Sequence, residues 1–281
     1  MTAQLQIPTG VGAFDALAAG PEDGREVLLL HGFPQGALEW EHQLDALAAA
    51  GLRAVAPDQR GYSPGVRPED VAGYQMKELV GDVLRITDAL GWTRFDLVGH
   101  DWGAAVAWAL ADQHPGRLRT LTAVSVPHPG PFAEALRSDE DQRRRSGYLE
   151  MFRQEGDGAE RFFLDGGAAG LRGMLQHSVP AEKLDEYVRR LSEPGAMTAA
   201  LNWYRATRPE EVVAGPITVP TLYVWSTEDI GVGAAAALAT EDWVSGPYRF
   251  ESFEGVSHWV PEEAARRLST ELLAHLERHG R

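Results

Sequence analysis

Short runs of consecutive apolar residues alternate along this chain with longer stretches in which apolar positions recur every three or four residues. Residues 26–31, 52–57, 95–98, 121–126 and 221–225 are runs of the first kind. Their continuous rather than alternating apolarity suits strands buried on both faces of a parallel sheet. Residues 248–253 alternate instead, as an edge strand does. Leu79, Val83, Ile86 and Leu90 mark a helix stopped by Gly91, and Ala265, Leu268, Leu272 and Leu276 mark another after Pro261. Strand and helix in alternation predict a mostly parallel, doubly wound α/β sheet with active residues at the carboxyl ends of its strands. The pattern breaks near Pro127 and returns near Pro216. The intervening stretch, rich in charge, glycine and helix formers, reads as a helical insertion of subdomain size. The predicted organisation is a core over residues 1–128, an insertion over 129–214, and the rest of the core over 215–281. No internal repeat or low-complexity tract interrupts it.

Composition narrows the function classes. The 281 residues suffice for one large core with an embedded subdomain, or for two modest domains. A formal net charge of -15 argues against a nucleic-acid partner, because neutralising phosphates needs clustered Lys and Arg. The absence of cysteine excludes disulfides, thiolate metal sites and cysteine-based catalysis. The first ten residues have no basic start followed by an apolar run, and no stretch approaches the ~18 apolar residues of a membrane span. The expectation is a cytoplasmic protein without a membrane association, as a monomer or homodimer.

The most informative segment is the run from Phe95 to Ala105, where an apolar strand enters Gly99-His100-Asp101-Trp102-Gly103 and continues directly into an apolar helix. This strand–turn–helix pattern is a nucleophile elbow, best known in the form Gly-x-Ser-x-Gly. Here the central residue is Asp101, and this is taken as the one elbow in the chain. A serine must lose a proton as it attacks, whereas an aspartate is already ionised at neutral pH. A carboxylate suits displacement at a saturated carbon, giving an ester of the enzyme itself. The competing reading is an ordinary aspartate helix cap, which the flanking glycines and apolar strand disfavour.

Two further strands end in chemistry. Ser226-Thr227-Glu228-Asp229 follows the 221–225 run, and His258 follows the 248–253 run. Nucleophile, acid and histidine thus occur in the order this elbow requires. His258 is read as the base that activates water, and Asp229 as the group that orients its imidazole, although Glu228 is adjacent. The 121–126 run is followed by no acid before Glu134, which favours Asp229 over an acid on the earlier strand. His31-Gly32-Phe33-Pro34 follows the first strong strand, and the backbone N–H groups of Phe33 and Trp102 are the expected oxyanion hole.

Taken together, His31-Gly32-Phe33-Pro34, Asp58-Gln59-Arg60-Gly61-Tyr62, the Gly99–Gly103 turn, Asp229 and His258 resemble the epoxide hydrolases of the α/β-hydrolase fold, with haloalkane and haloacid dehalogenases as relatives. The resemblance implies a helical cap between the sixth and seventh core strands, where the insertion lies. It implies two cap tyrosines that protonate the epoxide oxygen. Tyr204, within residues 201–205, matches one, and Tyr148, within 146–152, matches the other, with Tyr187 as its substitute. It further implies opening of a small apolar epoxide to a vicinal diol through an ester on Asp101, with water as co-substrate and neither metal nor organic cofactor. His31, Pro34, His100 and Trp259 are the expected remainder of the substrate pocket.

A dehalogenase is the alternative, using the same Asp101, His258 and Asp229 but halide-binding N–H donors such as the Trp102 indole. Phe33 stands where haloalkane dehalogenases often have asparagine, and Tyr148-Leu149-Glu150-Met151 where haloacid dehalogenases carry a His-Trp pair. Arg60 fits a substrate carboxylate in that branch, but a structural ion pair is the preferred reading. A non-catalytic ligand-binding protein on the same scaffold would show the loss of a catalytic group, and none is missing.

Overall fold

The computed structural model describes residues 2–208 and 215–280. Eight strands form one sheet: β1 (Ala3–Thr9), β2 (Gly12–Ala19), β3 (Glu26–Leu30), β4 (Arg53–Pro57), β5 (Phe95–His100), β6 (Leu118–Val124), β7 (Thr221–Glu228) and β8 (Tyr248–Ser257). Their order is β1-β2-β4-β3-β5-β6-β7-β8. The first two pairings, β1 with β2 and β2 with β4, are antiparallel, and every later one is parallel. The 248–253 segment is an edge strand, as its alternation predicts. The β1–β2 hairpin is not among the strands predicted from apolar runs. Its side chains alternate between buried Phe14, Ala16 and Ala18 and partly exposed neighbours, so it offers only a weak period of two.

The continuous apolar strands are explained by the two faces of the sheet. Leu28, Leu30, Val55, Leu97 and Ala123 pack to one side, with α2 (Met76–Ala89) and α3 (Trp102–Gln113). Val27, Leu29, Ala54, Val98, Val124 and Leu222 pack to the other, with α1 (Glu41–Ala49) and the last helix, Ala265–Arg278. Gly91 ends α2 with a left-handed φ of 76°, as a helix stop requires.

Between β6 and β7 lie α4 (Pro129–Ser138), α5 (Glu140–Arg145), α6 (Tyr148–Arg153), α7 (Gly158–Leu175), α8 (Ala181–Leu191) and α9 (Ala196–Ala206). The insertion is therefore helical and sits where the alternation breaks; its predicted end at 214 lies outside the described residues. Helix α4 packs against α10 (Ala234–Leu238), on the flank of the sheet, whereas α6 and α9 pack on each other. Among the described residues no helix is long and apolar enough to cross a membrane. Two helices follow β8: the short α11 (Val260–Glu263) and α12, the Ala265–Arg278 helix.

The centre of the sheet is pinned where β5 turns into α3. A Cβ on Gly99 would stand 2.3 Å from the Gly103 carbonyl oxygen, and one on Gly103 would stand 2.0 Å from that of Leu30. Both residues must be glycine for α3 to pass this close under β3 and β5. Gly103→Ala is expected to cost about 1–3 kcal/mol through forced backbone shifts. Calorimetry should show a lower thermal midpoint; an unchanged midpoint would mean that the strand ends yield freely.

Candidate active site

Asp101 occupies the tip of that turn with φ 51° and ψ -119°, a conformation rare for a residue with a Cβ. Such a strained backbone is held only when the surroundings over-determine it, and here the two tight glycines do so. The carboxylate caps no helix N–H through its side chain, which disposes of the helix-cap reading. Instead Oδ1 accepts from the Phe33 N–H at 2.8 Å, and Oδ2 lies 3.4 Å from Nε2 of His258.

His258 leaves β8 and turns its Nδ1 toward Asp229 Oδ2 at 2.8 Å. The other oxygen of Asp229 accepts from the N–H groups of Gly231 and Val232, at 2.8 and 2.9 Å. Asp229 is fully buried, whereas neighbouring Glu228 is exposed, so geometry separates the two acids that adjacency left ambiguous. Burial alone would lower the His258 pKa. The Asp229 carboxylate and the contacts with Asp101 outweigh it and raise His258 to about 10. Burial likewise opposes ionisation of Asp101, but His258, His100 and the Phe33 N–H hold it below the usual carboxylate range. In the resting site Asp101 is thus a carboxylate and His258 an imidazolium.

Two cavities meet at Asp101, and both are bordered by Tyr148, Tyr204, Gly231 and His258. One continues between Ala105, Val126, Pro129, Phe132 and Leu149; the other between Phe33, Met151, Phe152, Met174 and Trp259. Apart from Asp101 and His258, no lining residue carries a charge. The two phenol rings, from α6 and α9, lie 6.4 Å apart between centroids at 80°. Tyr204 is buried, its ring edge-on to Phe33 and Trp102 at 5.4 and 5.1 Å. Tyr148 borders both cavities and is 38 % exposed. Desolvation, then the Asp101 charge, pushes both phenols well above their ordinary pKa, so both keep their protons.

The structure brings together Asp101, His258, Asp229, Tyr148, Tyr204, Phe33, Trp102 and Trp259. It does not bring Tyr187, whose hydroxyl donates to Glu262 at 2.8 Å and whose ring packs in a separate cluster with Leu184 and Trp259. Three expected pocket residues lie outside the cavity lining. His31 is buried beneath it, its Nε2 accepting from the Gln59 N–H and its Nδ1 3.0 Å from the Gly32 carbonyl. Pro34 borders a separate small cleft with Asp58 and Arg190. His100 is fully buried, with Nε2 2.9 Å from the backbone carbonyl of His258. Arg60 forms a bidentate pair with Asp82, at 2.6 and 2.7 Å, and is the structural ion pair expected of it.

One reading of the sequence needs correcting. The chain does contain a Gly-x-Ser-x-Gly spelling outside the Asp101 turn, Gly61-Tyr62-Ser63-Pro64-Gly65. It is no elbow: Ser63 is fully buried in the loop after β4, donating to the Asp58 carbonyl at 2.7 Å and accepting from the Asp15 N–H at 2.9 Å. Sequence reasoning also missed Gln142 of α5. Its amide donates to the Gly231 carbonyl and accepts from the Gly233 N–H, both at 2.8 Å, and so fixes the loop that carries Asp229. A lone glutamine amid charged residues gives no sign of that role.

Comparison with known proteins agrees with this architecture. Residues 26–265 match the α/β hydrolase fold family. The AB hydrolase superfamily protein YfhM of Bacillus subtilis is 33% identical over 267 residues, spanning 92% of this chain and 93% of that one. Epoxide hydrolase A of Mycobacterium tuberculosis is 31% identical over 298 residues, spanning 92% of each. The crystal structure of epoxide hydrolase A from Mycobacterium thermoresistibile superposes with a TM-score of 0.87 at 28% identity, covering 99% of this chain and 98% of that one. The chain belongs to the α/β-hydrolase fold family, with proteins named as epoxide hydrolases among its full-length relatives.

Proposed function

We propose that this protein is an epoxide hydrolase working through an ester on Asp101. The observation that carries the reading is the pair of protonated phenols, Tyr148 and Tyr204, bordering the same uncharged cavity that the ionised Asp101 faces. An epoxide needs a nucleophile at carbon and an acid at oxygen at once, since an unassisted alkoxide is a poor leaving group. The full-length relatives named epoxide hydrolases support the same reading.

In the first step Asp101 attacks an epoxide carbon, the C–O bond breaks, and the departing oxygen takes a proton through the phenols. Esterification removes the charge of Asp101, one of the two carboxylates that keep His258 protonated. His258 therefore releases its proton, which replaces the one the oxygen took. In the second step the neutral imidazole, oriented by Asp229, takes a proton from water as water attacks the ester carbonyl. The Phe33 N–H, and that of Trp102 in the first turn of α3, receive the oxyanion. The acyl C–O bond breaks, the second hydrogen of the water passes to the leaving oxygen to complete the diol, and the carboxylate–imidazolium pair is restored. No step calls for a cofactor. In this reading the 129–214 insertion is a cap that supplies the acids, and the core supplies nucleophile and base.

Dehalogenation with the same triad is the second reading, and the geometry weakens it. A halide leaving group wants N–H donors; the Trp102 indole borders the cavity but is paired with the Tyr204 hydroxyl, and the other polar side chains facing Asp101 there are phenols. The haloacid branch needs a cation for the substrate carboxylate, and Arg60 is held by Asp82 away from the cavity.

His258→Gln is expected to stall after the first step. Intact-protein and peptide mass spectrometry should then find a hydroxyalkyl adduct from styrene oxide on the Asp101 peptide. A carboxymethyl adduct from fluoroacetate would instead establish the dehalogenase. Tyr204→Phe is expected to slow ester formation by roughly 100-fold or more. A stopped-flow alkylation rate close to that of the parent protein would remove Tyr204 from the acid role. The charge pair also has a pH signature. His258 is raised from its unfolded value to about 10, so the folded chain holds a proton there that the unfolded chain releases. The resulting stabilisation is complete below about pH 6.5 and is lost as pH rises through about 10. The loss of thermal midpoint on His258→Gln should accordingly be larger near pH 7 than near pH 10.5, and a gap that widens with pH would contradict the assigned charge state.

A further inference from the structure

A carboxylate that the mechanism does not use lies behind the site. Glu39, in the short helical turn Ala37–Trp40 after the Phe33 loop, is fully buried. No lysine or arginine forms an ion pair with it among the described residues. One oxygen, Oε2, accepts from the Gly32 N–H at 3.2 Å. The other, Oε1, lies 2.9 Å from Nδ1 of His100, which is also fully buried. Neither Oε1 nor Nδ1 makes a hydrogen bond with any described group, so their 2.9 Å approach is a close contact between two buried polar atoms. On its far side His100 places Nε2 2.9 Å from the backbone carbonyl of His258.

The chemistry of these atoms fixes the number of protons. A carbonyl oxygen only accepts, so Nε2 of His100 carries a hydrogen and donates. A bare carboxylate oxygen and a bare imidazole nitrogen at 2.9 Å, both fully buried, would be two acceptors facing each other. One proton therefore lies in that contact, on Nδ1 or on Oε1, and the pair is neutral overall. A neutral pair explains how an acid with no cation is tolerated at this depth.

The residues joined in this way matter more than the pair itself. Gly32 precedes Phe33, whose N–H holds Asp101, and His258 is the base. The path Gly32–Glu39–His100–His258 thus links the oxyanion loop to the base loop underneath the nucleophile. The carbonyl of His258 receives a second side-chain bond from Ser125 Oγ at 2.9 Å, which marks this backbone position as one the fold holds firmly. We propose that Glu39 and His100 are positioning residues, a buried one-proton bracket that sets the distance between the His258 imidazole and the ester carbonyl held at Phe33. The inference rests on the two-step reading above. It predicts a defect chiefly in the second step, because in the attack the Phe33 N–H and the imidazolium serve only as partners of the Asp101 charge, whereas water needs both at a set distance from the ester carbonyl.

Rapid-quench mass spectrometry with styrene oxide separates the two steps. Glu39→Leu and His100→Asn are each expected to alkylate at near the parent rate and to hydrolyse the ester about 100-fold more slowly, the scale of a misplacement near 1 Å. Both should accumulate the Asp101 ester. Glu39→Gln should restore hydrolysis to within about 10-fold of the parent, since its amide accepts from Gly32 and donates to a neutral Nδ1. The double variant Glu39→Leu/His100→Asn should be little worse than either single one, as expected of members of one linkage. If Glu39→Leu does not fold, His100→Asn with Glu39→Gln carries the test. Equal slowing of both steps, no slowing of either, or a Glu39→Gln as impaired as Glu39→Leu would overturn the bracket. His258→Gln run alongside distinguishes the failures: ester on that variant but none on the others sinks this inference alone, and no ester on His258→Gln removes the two-step reading together with it.

Discussion

The architecture turns on how closely two pieces of backbone approach beneath Asp101. The end of β3 and the start of α3 are so near that a Cβ on Gly103 would meet the Leu30 carbonyl, and one on Gly32 would stand 2.3 Å from the Cβ of Asp101. Because these segments touch without side chains between them, the Phe33 N–H arrives within hydrogen-bond distance of a carboxylate 68 residues further along the chain. The left-handed φ of Asp101 is the local consequence, and the rest of the sheet is arranged to tolerate it. Both faces are filled by helices, so the strained turn sits in the most constrained part of the molecule.

The electrostatics follow from that placement. Asp101 and Asp229 are both buried around His258, and burial by itself opposes ionisation of Asp101. The imidazolium beside it outweighs that cost, and the first turn of α3, beginning at Trp102, adds the positive end of a helix dipole next to Asp101. The phenols experience the same surroundings with the opposite outcome. Burial and the neighbouring negative charge keep Tyr148 and Tyr204 protonated. One environment thus yields an ionised nucleophile and unionised acids, which is the combination ring opening requires.

Much of this was legible in the sequence, for identifiable reasons. Strands buried on both faces must be continuously apolar, so β3 to β7 declare themselves, and the elbow declares Asp101 because only glycine fits beside it. His258 and Asp229 are found by order along the chain. The hairpin β1–β2 escapes because half-buried edge strands have diluted patterns. His100 and Gln142 escape as supports because their partners are backbone atoms of distant loops, and no local pattern encodes a bond across 91 or 158 residues; Glu39 escapes because it faces an imidazole of β5. His31 and His100 were expected at the pocket because they adjoin the motifs that form it. Both rings are instead fully buried and bond to backbone groups of other loops.

Phe33 shows why the alternative chemistry is hard to graft onto this chain. Its N–H holds the nucleophile, while its ring lies 5.3 to 5.5 Å from those of Phe152, Phe163 and Tyr204, all three from the insertion. The residue whose N–H meets Asp101 is therefore also the residue on which the aromatic cluster of the insertion rests. An asparagine here, as a halide site would favour, would offer an amide to a leaving ion but withdraw the aromatic face that Tyr204 packs against. The position of the phenol and the position of the backbone donor are consequently set by a single side chain. A substrate held between them meets acid and nucleophile at a spacing that the core, and not the insertion alone, determines.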